Sequence, residues 1–167
     1  MLPRLFAALA LLCALSPPAY GAPVIGPSGL AVPRYESLKF GEVNGRLGPS
    51  MEHRVLWTYH RRGLPVRVIA ESDVWRQVAD PAGDVAWVHV AGLSPKRTVF
   101  VDGGTETALR AAPRPEARPV ARLGPGVVGV LEACRAGWRK VRVNNYSGWI
   151  ETSALWGGET CDPKAPS

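Results

Sequence analysis

The chain lacks the residue constellations on which most catalysis and metal chemistry depend. No Gly-x-Ser-x-Gly elbow, His-Glu-x-x-His pair, Cys-x-x-Cys spacing or phosphate-cradling glycine loop occurs in its 167 residues. The 3 histidines, His53, His60 and His89, all precede residue 90, and Cys134 and Cys161 lie more than 40 residues further on. A nucleophile needs an oriented base within hydrogen-bond reach, and nothing in this arrangement suggests one. The histidine spacing matches no zinc pattern. Neither a metal nor a cofactor is expected, and the chain reads as non-catalytic.

Long apolar runs are also scarce. The one conspicuous stretch is Leu5 to Leu15, preceded by Arg4 and followed by small residues at Ala19 and Gly21. A basic start, a short apolar run and a small-x-small site describe a secretory signal peptide, with cleavage expected after Gly21. The run falls short of the roughly 20 apolar residues that a membrane span needs. Cys13 follows the bulky Leu12, which argues against lipidation there. The expected product is periplasmic or secreted, and not an integral membrane protein. Cys134 and Cys161 are then the remaining cysteines of the 3. In an oxidising compartment they are expected to pair. The bond would tie the tail back to a strand of the second half.

Positive charge is in excess but not concentrated. The formal charge of +6, with 20 Lys+Arg against 14 Asp+Glu, falls to +5 when Arg4 leaves with the signal. Binding of an anionic polymer or nucleic acid is one alternative for such a chain. The cations are scattered in sequence, however, and read as a solvated surface; no nucleic-acid partner is expected.

No window shows a convincing amphipathic helix. Short β-branched and aromatic runs, such as Leu64 to Glu71, Val74 to Asp80, Asp84 to Val90 and Arg97 to Val101, read as strands. Turn chemistry separates them. Pro- and Gly-rich Ala22 to Pro33 reads as a linker. The chain also repeats itself: Gly63, Trp75 and Val78 recur 63 residues later as Gly126, Trp138 and Val141. Val68, Val88 and Leu93 match Leu131, Ile150 and Leu155, and Trp87 matches Trp149. The fold class is all-β, in two small units.

Strand parity assigns roles within each copy. Val74, Arg76 and Val78 share one face and Trp75 and Gln77 the other; Val141 and Val143 oppose Trp138, Lys140 and Arg142. If the valines line the cores, Trp75 and Trp138 point outward. Each then either packs on a neighbour or belongs to a ligand groove.

These residues resemble the bacterial SH3 domain family, and specifically the exported tandem SH3-like proteins of alphaproteobacteria. The first copy carries "VNGRLGPS", Val43 to Ser50, and the body Val55 to Val101; the second, Thr107 to Gly157, keeps Arg110, Pro113, Trp138, Val141, Gly148 and Trp149. Gly45 and Ala86 depart from the pattern, and Val120 stands in the second copy where the first has Trp57. The resemblance implies two small five-stranded SH3-like barrels, over 34–101 and 107–158, with a linker at 102–106 and a tail at 159–167. It also implies non-catalytic modules, since relatives are often attached to cell-wall hydrolases and bind peptidoglycan or its peptides. The expected partner is peptidoglycan or an envelope protein; a cell-wall hydrolase or other cysteine- or histidine-dependent enzyme is the alternative. The residues expected to form an aromatic and basic binding surface are Trp57, Tyr59, Trp75, Arg76, Trp87, Trp138, Arg139 and Trp149, with the first copy favoured.

Overall fold

The computed structural model describes residues 24–161. The expected signal peptide, its cleavage site and the last part of the tail lie outside them. The described residues are all-β, with no α-helix.

The first strands are β1, Val24–Ile25, and β2, Ala31–Val32. They pair with each other as a small hairpin. Residues 24–33 of the segment expected to be a linker are therefore structured. Its glycines and proline form the loop of that hairpin, closed by Gly26 N donating to Leu30 O at 2.9 Å, with Gly29 at φ 77°.

The first large sheet comprises β3 (Arg34–Leu38), β4 (Val43–Arg46), β5 (Val55–Tyr59), β6 (Pro65–Ser72), β7 (Trp75–Ala79), β8 (Val85–His89) and β9 (Leu93–Ser94). The second comprises β10 (Thr98–Val101), β11 (Thr107–Arg110), β12 (Pro119–Leu123), β13 (Val128–Arg135), β14 (Trp138–Val143), β15 (Tyr146–Glu151) and β16 (Leu155–Trp156). Their strand orders, β5-β4-β8-β7-β6-β3-β9 and β12-β11-β15-β14-β13-β10-β16, are the same order written twice. Both central hairpins and both short returning strands recur, so the sequence repeat is a repeat of folded units.

The correspondence corrects one boundary. Thr98–Val101 was expected to close the first unit, yet β10 pairs with β13 and β16 of the second. It is the counterpart of β3. The 63-residue offset places Arg97 on Arg34 and Val101 on Leu38, and each strand opens its own sheet.

The valines do line the cores. Leu38, Val66, Val68, Val78, Val88 and Leu93 fill the first, with Tyr59; Val99, Val101, Leu109, Leu131, Val141, Ile150 and Leu155 fill the second. The matched aliphatic pairs, Val68 and Leu131, Val78 and Val141, Val88 and Ile150, and Leu93 and Leu155, are buried in both copies. Cores this small bury a limited area, and the two units lean on one another. Phe100 and Val128 of the second pack against the first core. Thr98 Oγ1 donates to Gly63 O at 2.8 Å, and Arg61 Nη2 donates to Gly126 O. Arg97 lies 5.3 Å from the Tyr35 ring, which meets Trp156 edge to face at 5.1 Å.

Cys134 and Cys161 form a disulfide, with 27 residues of separation. It fastens the C-terminal tail to β13. Closing a loop of this length stabilises by about 3–4 kcal/mol through lost unfolded-state entropy. Cys161→Ser should therefore lower the urea midpoint by the equivalent of about 3 kcal/mol. Alkylation of the denatured, unreduced protein should find neither thiol of this pair. Equal midpoints for variant and wild type would show that the tail adds nothing.

Candidate functional site

The structure separates the expected binding residues into three groups. The first is a pair of buried arginines. Arg76 and Arg139 are only 7% and 8% exposed. Both lie on the valine face of their strands, so parity turns them inward at the end of each barrel. Arg76 Nη1 donates to Asp73 O at 2.7 Å and Trp75 O at 3.0 Å, and its Nε lies 3.1 Å from Glu71 Oε1. Arg139 Nε donates to Gly158 O at 2.6 Å and Nη1 to Trp138 O at 2.9 Å. Burial holds the pKa of Arg139 below its usual value. Neither arginine offers a charge to an outside ligand.

The second group is Trp57 and Tyr59, neighbours on one face of β5. Tyr59 is buried in the first core and Trp57 packs against it, their rings edge to face at 5.9 Å. The Tyr59 hydroxyl donates to Asp80 Oδ2 at 3.3 Å. Burial pushes its pKa up, and the Asp80 charge acts in the same direction. Asp80 also ties the β7–β8 turn, accepting from the amides of Ala82 and Asp84. This pair serves packing and turn closure.

The third group stands on the outer face of the central hairpins. Trp87 is half-buried on β8 opposite Gln77 and Arg46. In the second copy Trp149 lies 5.9 Å from the Arg135 guanidinium, and Trp138 is half-buried opposite Arg135. Trp75 differs from these. It is on the outer face, as parity required, and yet only 6% exposed. The segments around it rise to make it the floor of a groove.

That groove has a volume of about 480 Å³. His89 stands across from Trp75 on β8, ring to ring at 5.2 Å and edge to face. Val43 and Gly92 form a wall, and Phe40, Glu42, Arg46 and Met51 stand around the opening. Phe40 is 50% exposed and Met51 65%. Arg46 holds the rim loop in place: its Nη1 donates to Met51 O at 3.1 Å and to His53 O at 2.7 Å. His89 Nδ1 accepts from Ala91 N at 3.1 Å, so the neutral ring carries its proton on Nε2. A Cβ at Gly92 would come within 2.9 Å of Val43 Cγ1, so the glycine lets the turn approach β4. The site is apolar at its base, with both charge signs at its mouth.

Of the expected residues, only Trp75 belongs to this groove. Arg46 stands in the "VNGRLGPS" stretch but was not read as a site residue; Phe40, Glu42, Met51 and His89 carried no motif, and the first three come from loops outside the repeated hairpin. A faint signal existed. Gly104 stands in the second copy near where the first has Phe40, and Glu151 stands where the first has His89. Among the described residues no cluster of His, Cys, Asp and Glu could hold a metal ion. No helix among them is long and apolar enough to cross a membrane.

Two solved structures from Trichomonas vaginalis, of NlpC2 and NlpC1, are similar to the chain at 13% and 14% identity. Each alignment covers 74% of this chain, and 48% and 45% of theirs, with TM-scores of 0.34 and 0.33. The chain thus spans about half the length of each. No curated protein matches it. The profile of the bacterial SH3 domain matches twice, over residues 39–95 and 103–157, one match on each sheet. The chain belongs to the bacterial SH3 domain family, as two domains in tandem.

Proposed function

We propose that this chain is an exported, non-catalytic binding module whose first barrel holds a short peptide of the cell envelope, a peptidoglycan peptide or a segment of an envelope protein. Bacterial SH3 domains are binding modules, generally non-catalytic and typically extracytoplasmic. The observation that carries the reading is the groove over Trp75. A buried tryptophan floor, exposed Phe40 and Met51 at the mouth, and Glu42 and Arg46 beside them suit an extended peptide with an apolar side chain and charged ends. Large exposed apolar side chains gathered on one concavity are uncommon without a partner.

A catalytic role finds little support in the same residues. His53 Nδ1 lies 3.0 Å from Ser50 Oγ on an exposed loop, but among the described residues no acid hydrogen-bonds the ring to orient it; His89 caps the turn after β8, and His60 lies 3.7 Å from Glu42. The paired Cys134 and Cys161 are not thiolates.

Sedimentation with purified sacculi, and with soluble peptide released from them, tests the proposal. Phe40→Ala/Met51→Ala should weaken binding by about tenfold or more, since each side chain contributes roughly 1 kcal/mol of apolar contact at an interface. Its unfolding midpoint should stay near wild type, because both side chains are solvent-exposed. Binding should persist at moderate salt. A double variant that binds like wild type would remove the groove from the function.

A further inference from the structure

Four of the cations scattered in sequence converge in space. Lys39, Arg62, Lys96 and Arg142 meet at one cleft of about 450 Å³ between the two barrels. Lys39 follows β3, Arg62 lies between β5 and β6, Lys96 precedes β10, and Arg142 stands on β14. All four are exposed. The hydroxyl-bearing Ser37 and Ser94 and the amide of Asn144 add polar lining. Gly63 and Gly129 let backbone form part of the wall.

Opposing charge is sparse. Among the described residues, no ion pair engages Arg62, Lys96 or Lys39. Arg142 alone has an acid, its Nε donating to Glu132 Oε1 at 2.6 Å. Glu132 is itself shared with Ser147 Oγ at 2.7 Å and Lys140 Nζ at 3.9 Å. The cleft therefore keeps about three uncompensated positive charges, and a concave site with low-dielectric walls focuses such a field.

We propose that this inter-barrel cleft binds a phosphate-class anion carrying more than one negative charge. A single carboxylate would use one arginine fork and leave the remaining charges unmatched. Phosphate oxygens accept both bidentate guanidinium contacts and ammonium point charges. The volume is large enough for two linked phosphate groups, and pyrophosphate is a suitable probe. The site requires both domains, since Lys39, Arg62 and Lys96 come from the first barrel and its exit, and Arg142 and Asn144 from the second. This gives the tandem arrangement a role that neither barrel could fill alone. It shares no lining residue with the groove over Trp75.

Calorimetric titration of the full tandem chain with pyrophosphate at low ionic strength tests the site. One saturable event is expected, weakening steeply as salt is added. Arg62→Ala/Lys96→Ala should weaken it by about tenfold or more, with an unchanged melting temperature because both side chains are exposed. Arg122→Ala removes an exposed cation elsewhere, 3.9 Å from Glu106, and should leave the titration intact. Met51→Ala, which alters the peptide groove but no residue of this cleft, should also leave it intact and separates the two sites. Cosedimentation with phosphatidylglycerol vesicles identifies the carrier. Vesicle binding lost in Arg62→Ala/Lys96→Ala assigns a lipid headgroup, whereas pyrophosphate binding without vesicle binding assigns a soluble or polymer-borne phosphate. The absence of saturable binding to either probe would overturn the proposal. So would an equal loss in Arg122→Ala, which would reduce the effect to net charge.

Discussion

Glu71→Ala is expected to lower the unfolding free energy at neutral pH by about 3–5 kcal/mol, the cost of leaving a buried charge without its partner. The Glu71 side chain is fully covered. Its Oε1 lies 2.7 Å from Arg34 Nη1 and 3.1 Å from Arg76 Nε. Ser28 donates its hydroxyl to Oε1 at 2.8 Å and its amide to Oε2 at 2.9 Å. Truncation would strand Arg76 among the carbonyls of Asp73 and Trp75 and release the β1–β2 hairpin. Gly26 belongs to the same cluster, since a Cβ there would overlap Glu71 Oε2. Burial alone would raise the Glu71 pKa, but the Ser28 and Arg34 hydrogen bonds outweigh it and hold the carboxyl below its ordinary range. A carboxyl depressed in the folded state stabilises above its unfolded pKa of about 4.3, and loses that contribution as pH falls through the folded value. Urea midpoints of wild type and Glu71→Ala should accordingly lie far apart at pH 7 and converge as the solution is acidified below about pH 4. A loss under about 1 kcal/mol at pH 7 would mean the carboxylate behaves as an exposed one.

The second barrel solves the same problem differently. Arg97 and Arg139 are the repeat counterparts of Arg34 and Arg76, and Cys134 is the counterpart of Glu71. There both arginines reach carbonyls of the tail. Arg97 Nη2 donates to Gly157 O at 2.9 Å, and Arg139 Nε to Gly158 O at 2.6 Å. The disulfide then holds that tail in place. One copy covers its buried arginine with an N-terminal hairpin and an acid, the other with a C-terminal tail and a covalent bond. The repeated Trp-Arg-x-Val phrase is thus a structural phrase first: Val in the core, Arg at the barrel end, Trp outside.

This explains which expectations were readable in the chain. Periodicity and the 63-residue offset identified two all-β units, the core positions and the central hairpins, because those depend on local alternation. Parity also held, and it already put Arg76 on the face of Val78. Reading Arg76 and Arg139 as a surface beside the tryptophans followed their adjacency in sequence, whereas a strand sends adjacent side chains to opposite faces. The offset, carried four strands upstream, would have placed Arg97–Val101 with the second unit. The hairpin over Glu71, the groove and the inter-barrel cleft were not readable. Each depends on contacts between loops that no period connects: Ser28 with Glu71, Met51 near Trp75, Lys39 near Arg142.

Trp75→Ala should show the double consequence of a residue that is both floor and packing. Its 6% exposure predicts a loss of about 3–5 kcal/mol, the range for truncating a buried aromatic side chain. Wild-type domains of this size hold only about 5–15 kcal/mol in total, so the first barrel should remain folded at low temperature but unfold well before the wild type. Trp138→Ala should cost less, because the second-copy tryptophan is only half-buried. Affinity for envelope peptide should fall below detection in Trp75→Ala even where the barrel is folded. It should be unchanged in Trp138→Ala, because the groove belongs to the first copy. Trp75→Phe separates the two effects. It keeps an aromatic floor against His89 and most of the stability, and it should retain measurable binding. Two outcomes would count against this division of labour. One is a folded Trp75→Ala protein that binds as wild type. The other is Trp138→Ala losing affinity as severely as Trp75→Ala, which would move the peptide site away from the first barrel.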